Sequence, residues 1–151
     1  MSILAGGLIL IPGLLLRGLA AGHVQKDRQL TTSGPYAYTR NPLYLGSLIL
    51  AGGFALAARS PVILGLLFLM FAAIYVPVIA GEERYLHETF PEYADYARHV
   101  SRFWLRLTPY GNQQGDFSPA LYWKHREYNA ILGCIVVLAI LCVKLFVNFS
   151  R

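Results

Sequence analysis

Four apolar stretches that reach or approach the length of a bilayer crossing, Ser2 to Ala21, Leu43 to Ala58, Pro61 to Ala80 and Asn129 to Phe149, leave this chain one natural solvent. A hydrocarbon core about 30 Å thick takes about 20 apolar residues of helix to cross. The second stretch is short for that task. The chain is 56% hydrophobic and 14% charged, where soluble domains carry about 25% charged residues. One domain is expected in 151 residues. The fold class expected is all-α: a polytopic membrane helix bundle of about four transmembrane helices, with short amphipathic cytoplasmic helices. A cleaved signal peptide would place a basic segment before the first apolar run; none is present, so that run is expected to stay as a span. Arg17, about one turn from its end, is expected to snorkel to the headgroups and to need no functional role.

If all four stretches span, the segments Gly22 to Pro42 and Gly81 to Tyr128 fall on one side. They hold nine of the 13 basic residues, all 8 acidic residues and all 4 histidines. The excess of Lys and Arg makes that side cytoplasmic, which is the inner membrane's inner face if the source is bacterial. Any aqueous chemistry belongs there, because Arg59-Ser60-Pro61, on the other side, is too short for a site. The net charge of +5 finds no soluble module on which to form a nucleic-acid stripe. No nucleic-acid partner is therefore expected. Cys134 and Cys142 read as small packing residues, and His87, His99 and His125 lack the spacing of a metal site, with His23 alone. No metal is expected.

Within the second polar segment, Leu86, Phe90, Tyr93, Ala97 and Val100 recur at spacings of three and four, which is one helical face. Pro91 breaks the run and suits a first helical turn, so the spacing predicts two short amphipathic helices between Glu82 and Phe103. In the first polar segment, Thr32 to Gly46 runs a polar turn straight into a span. Asn41 reads as an N-cap and Pro42 as the first helical residue. The free N–H groups of that end, with Arg40 beside them, suit an anion. Tyr36, Tyr38 and Tyr44 are either interfacial anchors or stacking faces and hydroxyl donors. Glu82 and Glu83 are either favourable charges at a helix start or carboxylates facing a cavity and holding a cationic ligand. Gly46, Gly52 and Gly53 remove side chains for close helix approach, and for Gly52-Gly53 helix packing is the reading preferred.

These residues resemble a family of membrane methyltransferases that includes isoprenylcysteine carboxyl methyltransferases and phospholipid N-methyltransferases. The similar pieces are Leu30 to Tyr36, then Arg40-Asn41-Pro42-Leu43-Tyr44-Leu45-Gly46, then Glu82-Glu83 followed by Phe90-Pro91-Glu92-Tyr93 and Tyr96. They span roughly Gly22 to Pro109, in the family's order, and leave 129–149 as an additional C-terminal span. The resemblance implies S-adenosylmethionine as cofactor. It also implies that Arg28, Gln29, Leu30, Thr31 and Tyr36 form part of the cofactor wall, that Asn41, Pro42, Leu43 and Tyr44 line the donor end near Arg40, and that Glu82 and Glu83 hold its cationic groups and serve in catalysis. There are two departures. Where the family carries Arg-His-Pro this chain has Arg40-Asn41-Pro42, an amide that bonds but does not titrate. Where isoprenylcysteine enzymes carry an arginine about one turn before the glutamate pair, this chain has Pro77 and Val78, which removes the basis for assigning a prenylcysteine carboxylate as substrate.

The function expected is methyl transfer from S-adenosylmethionine to a lipophilic acceptor, a lipid amine or carboxylate, that enters from the bilayer. Membrane lipids are the remaining partners expected. Two rivals are a nicotinamide-dependent membrane reductase of sterol-reductase type, and a non-catalytic membrane scaffold.

Overall fold

The computed structural model describes residues 2–25, 29–111 and 115–149, apart from the side chains of 145 and 147–149. Its regular elements are all helical: α1 Ser2–His23, a 3₁₀ turn Gly34–Ala37, α2 Pro42–Ala58, α3 Pro61–Thr89, α4 Tyr93–His99, α5 Pro119–Lys124 and α6 Tyr128–Phe149. Pro42, Pro61 and Pro119 open three of these helices, where proline's missing N–H has no partner to lose. The α2–α3 hairpin is closed by Arg59 in the left-handed region (φ 52°) and by Ser60, whose Oγ accepts from Ile63 N.

α1 and α2 pack antiparallel through pairs of glycines. A Cβ on Gly53 would meet Leu10 Cδ2 at 2.7 Å and Gly6 O at 3.0 Å, and one on Gly46 would meet Gly13 O at 2.9 Å. Leu10 and Leu50 fill the space between these contacts, and Cys134 of α6 closes the cluster. Close backbone approach of this kind gains dispersion contacts where lipid offers no hydrophobic drive. Gly52 differs from its neighbour: nothing lies within 4 Å of a Cβ there. It faces away from α1, so the packing role expected for the Gly52-Gly53 pair belongs to Gly53 alone.

The outer surface is apolar. α3 leaves Val62, Leu66, Phe68, Met70 and Ile74 exposed, and α6 does the same with Leu132, Ile135, Ile140 and Phe146. In the apolar windows of α1 and α3 only 22% and 6% of residues are buried inside the protein, which is the reverse of a soluble core. Both helices have the length and hydropathy of a crossing, and α2 and α6 are shorter apolar helices. This is a membrane protein. Cys142 is exposed among these residues rather than packed inside as expected, whereas Cys134 is buried.

One expected boundary is corrected. α3 runs without a break from Pro61 to Thr89, so Glu82 and Glu83 lie well inside a helix and not at its positive end. Nothing between Ala80 and Thr89 stops a helix except Gly81, whose cost of about 1 kcal/mol a packed helix tolerates. The break comes at Phe90-Pro91, and α4 is the one short helix of the two expected there.

Candidate functional site

A cavity of about 400 Å³ opens where the C-terminal end of α1, the N-terminal end of α2 and the polar end of α3 meet. That is within the range of small-molecule sites, about 300–1,000 Å³. Gln29, Leu30, Thr31 and Tyr36 line it from the segment before α2, Arg40, Asn41, Pro42, Leu43 and Tyr44 from the start of α2, and Glu82 and Glu83 from α3. The fold thus brings together every described residue to which the family resemblance gave a place at the cofactor or in catalysis; Arg28 lies outside the described residues. Tyr38 is not on the wall: its carbonyl accepts from Arg106 N at 3.0 Å.

The segment 37–40 owes its shape to a stretch sixty residues further on. Arg40 N donates to Ser101 O at 2.9 Å and Tyr110 N to Ala37 O at 2.9 Å, while Thr39 Oγ1 donates to Arg102 O at 2.8 Å. Beneath it, Tyr96 donates its hydroxyl to Tyr36 O at 2.7 Å. Tyr93, Tyr96 and Val100 form a buried cluster with Leu30, Leu86 and Phe90 against it. Burial pushes the phenols of Tyr36 and Tyr96 far above their ordinary value, so both remain neutral donors. Tyr110 is also raised, by its hydrogen bond to Asp95.

The two glutamates occupy different electrostatic settings. Glu83 accepts from Arg102 Nη2 at 2.7 Å and from its Nε at 3.0 and 3.1 Å, and lies 3.4 Å from Arg40 Nη1. Among the described residues no Lys or Arg pairs with Glu82, and the Tyr44 hydroxyl faces its carboxylate. Arg40 is consequently not an isolated positive charge. It is bound to Glu83 and to the Tyr93 hydroxyl at 3.3 Å.

Asn41 does not act as the side-chain cap expected of it: no capping bond forms. Its Nδ2 is buried without a partner among the described residues, as is Arg40 Nε. A buried amide without a partner costs about 1–3 kcal/mol, and in a cavity wall such a group is a ready donor to a ligand.

Sequence reasoning missed Arg17. It does not snorkel: its guanidinium grips Glu127 with Nη2 to Oε1 at 2.8 Å and Nε to Oε2 at 3.1 Å, and Nη1 donates to Ser47 Oγ. The side chains are 21% and 11% exposed, and Arg17 lines the cavity. A charge inside an apolar run is a site candidate by default, and that signal was present. Tyr75 was missed as well; it is an interior residue of α3 that meets Tyr44 ring to ring at 5.3 Å.

A family model described as phospholipid methyltransferase matches residues 14–93, just over half of the chain. The cobalt-zinc-cadmium resistance protein CzcN of Cupriavidus metallidurans is 41% identical over 86 residues, covering 57% of this chain and 40% of that protein. The nickel-cobalt-cadmium resistance protein NccN of Alcaligenes xylosoxydans xylosoxydans is 37% identical over 84 residues, covering 56% and 39%. The chain thus matches about two fifths of the length of these relatives. No solved structure matches it. The matched stretch opens at Leu14, contains the N-terminal end of α2 and Glu82-Glu83, and closes at Tyr93, so it holds most of the cavity wall: the chain belongs to the phospholipid methyltransferase family.

Proposed function

We propose that this protein binds S-adenosylmethionine in the cavity and transfers its methyl group to a lipophilic acceptor drawn from the bilayer, at the cytoplasmic membrane face. The observation that carries the reading is the pairing, in one cavity of a methyltransferase-family chain, of a buried Asn41 Nδ2 that has no polar partner with a carboxylate, Glu82, that has no cationic one, among the described residues. The residues fit the group. Asn41 Nδ2 and Arg40 Nε are donors for a carboxylate, Glu82 is a partner for cationic groups, and Tyr36, Tyr44 and Tyr93 offer aromatic faces.

Bound there, S-adenosylmethionine supplies an activated methyl group on a sulfonium. The chain then needs neither a nucleophile nor a metal ligand of its own; it holds donor carbon and acceptor in line and excludes water. The apolar walls from Leu43, Leu86 and Phe90 serve exclusion. Glu82 is the group that takes a proton when the acceptor is an amine. Glu83, held by Arg40 and Arg102, keeps the N-terminal end of α2 against α3 and is a positioning residue.

Isothermal titration of the purified protein with S-adenosylmethionine and with reduced nicotinamide nucleotide tests this against the reductase rival. Binding of the first is expected, and binding of the second alone would refute the reading. Labelled donor incubated with total membrane lipid extract identifies the acceptor. The names of the relatives support a second reading, a part in resistance to divalent heavy metals. Growth on cobalt, zinc or cadmium with the intact gene and with Glu82→Gln decides how the two relate. Resistance lost with the variant makes it a consequence of methylation, and resistance retained separates them.

A further inference from the structure

We propose that the loop 101–108 is a membrane-interface anchor, seating Trp104, Leu105 and Leu107 among phospholipid acyl chains at headgroup depth, with Arg98 and Arg106 against anionic headgroups. This inference stands apart from methyl transfer. Trp104 is 85% exposed, Leu105 61% and Leu107 100%, three large apolar side chains within four residues left largely uncovered by the described residues. Contiguous apolar surface of this kind marks an interaction site.

The loop is held in a shape that presents them. Arg106 N donates to Tyr38 O, the Arg106 guanidinium to Thr108 O and His99 O, and Ser101 Oγ to Trp104 O at 2.6 Å. Those bonds fix the loop's path, and the side chains of Trp104, Leu105 and Leu107 are left exposed on it. Phe103 holds the loop against α3, its ring 6.2 Å from that of Phe71, while Arg102 beside it is paired with Glu83 at the polar end of that helix. The loop thus lies along the boundary between the polar end and the apolar body of α3, and tryptophan is favoured at such a boundary.

Charge selects the occupant. Arg98 is exposed and Arg106 half-buried, Arg106 donates to the carbonyls of Thr108 and His99, and Asp95, on the same helix as Arg98, is engaged with Tyr110 and His99. A second copy of this chain docking isologously would bring these arginines together at a like-charge cost. An anionic lipid surface attracts each by about 1 kcal/mol, roughly fivefold in affinity.

The chain has two tryptophans, so Trp123→Phe leaves Trp104 as the sole reporter; Trp123→Tyr replaces it if that variant does not fold. The full chain is placed in phosphatidylcholine vesicles with and without phosphatidylglycerol, using lipids brominated at defined acyl positions. Strong quenching by bromine near the headgroup end, weak quenching by aqueous iodide, and a preference for brominated anionic lipid are expected. Arg98→Gln should lower that preference by about fivefold with unchanged circular dichroism. Iodide quenching without bromine quenching would overturn the anchor. Trp104 emission that responds to lipid-to-protein ratio rather than to bromine depth would assign the surface to a second copy instead. Equal quenching by both headgroup classes would overturn the role of the arginines.

Discussion

Glu83 meets three nitrogens of two arginines, while Glu82, the preceding residue, meets none among the described residues. Their substitutions should therefore separate. Glu82→Gln is expected to weaken S-adenosylmethionine binding about tenfold or more, as loss of a charge-assisted bond does, with little change in stability. Glu83→Gln is expected to cost about 1–3 kcal/mol of stability, between an exposed and a buried pair because Arg102 is largely exposed. Titration calorimetry and unfolding in detergent distinguish the two. Asn41→Ala gives a third signature. Asn41 Nδ2 has no partner among the described residues, so stability should hold or rise while affinity falls about tenfold. Alkaline pH probes the wall behind the cavity. The Tyr96 phenol is raised in the folded state by burial above an unfolded value near 10. Its contribution is thus fully present below about pH 10 and is lost as pH rises above that, by up to about 1.4 kcal/mol per unit. Tyr96→Phe should lose about 1 kcal/mol at neutral pH and show a shallower alkaline decline in thermal unfolding.

Among elements, the α1–α2 contact is set by Gly6, Gly13, Gly46 and Gly53, at intervals that return each to one helix face. Gly53→Val is expected to destabilise by about 1–3 kcal/mol through overpacking against Leu10, whereas Gly52→Ala, which meets nothing, should be neutral or slightly stabilising. A comparison of the two in thermal unfolding of detergent-solubilised protein checks it. The sequence distinguishes neither glycine, since both sit in one apolar run; only the rotation of α2 relative to α1 does. Helix α3 teaches the same lesson. Its start at Pro61 was legible from the proline, but its continuation through Glu82-Glu83 depended on the absence of any breaker before Pro91, a fact the charge pattern obscured.

For the molecule as a whole, the ion pair of Arg17 with Glu127 joins α1 to the start of α6, a helix outside the matched region of 14–93. Because both side chains are mostly buried, Glu127→Ala should strand a charge in the cavity wall and cost about 3 kcal/mol. Arg17→Met combined with it should recover part of that loss. A double-mutant cycle by thermal unfolding is expected to show coupling of about 1–3 kcal/mol; additive losses would refute the link. The solvent, the helical class and the gathering of polar residues at one end follow from the sequence alone, because apolar run length and charge placement are local properties that lipid and water sort directly. The cavity residues at Arg40 to Tyr44 and Glu82-Glu83 were legible for the same reason, each being a polar signal at the edge of a span. Which glutamate is neutralised, whether Asn41 caps a helix or faces a cavity, and what Arg17 meets were decided by the tertiary structure. Glu83 meets Arg102 and Arg40, 19 and 43 residues away, and Arg17 meets Glu127, 110 residues away, while Asn41 takes its setting from the elements packed around it; only packing sets those distances.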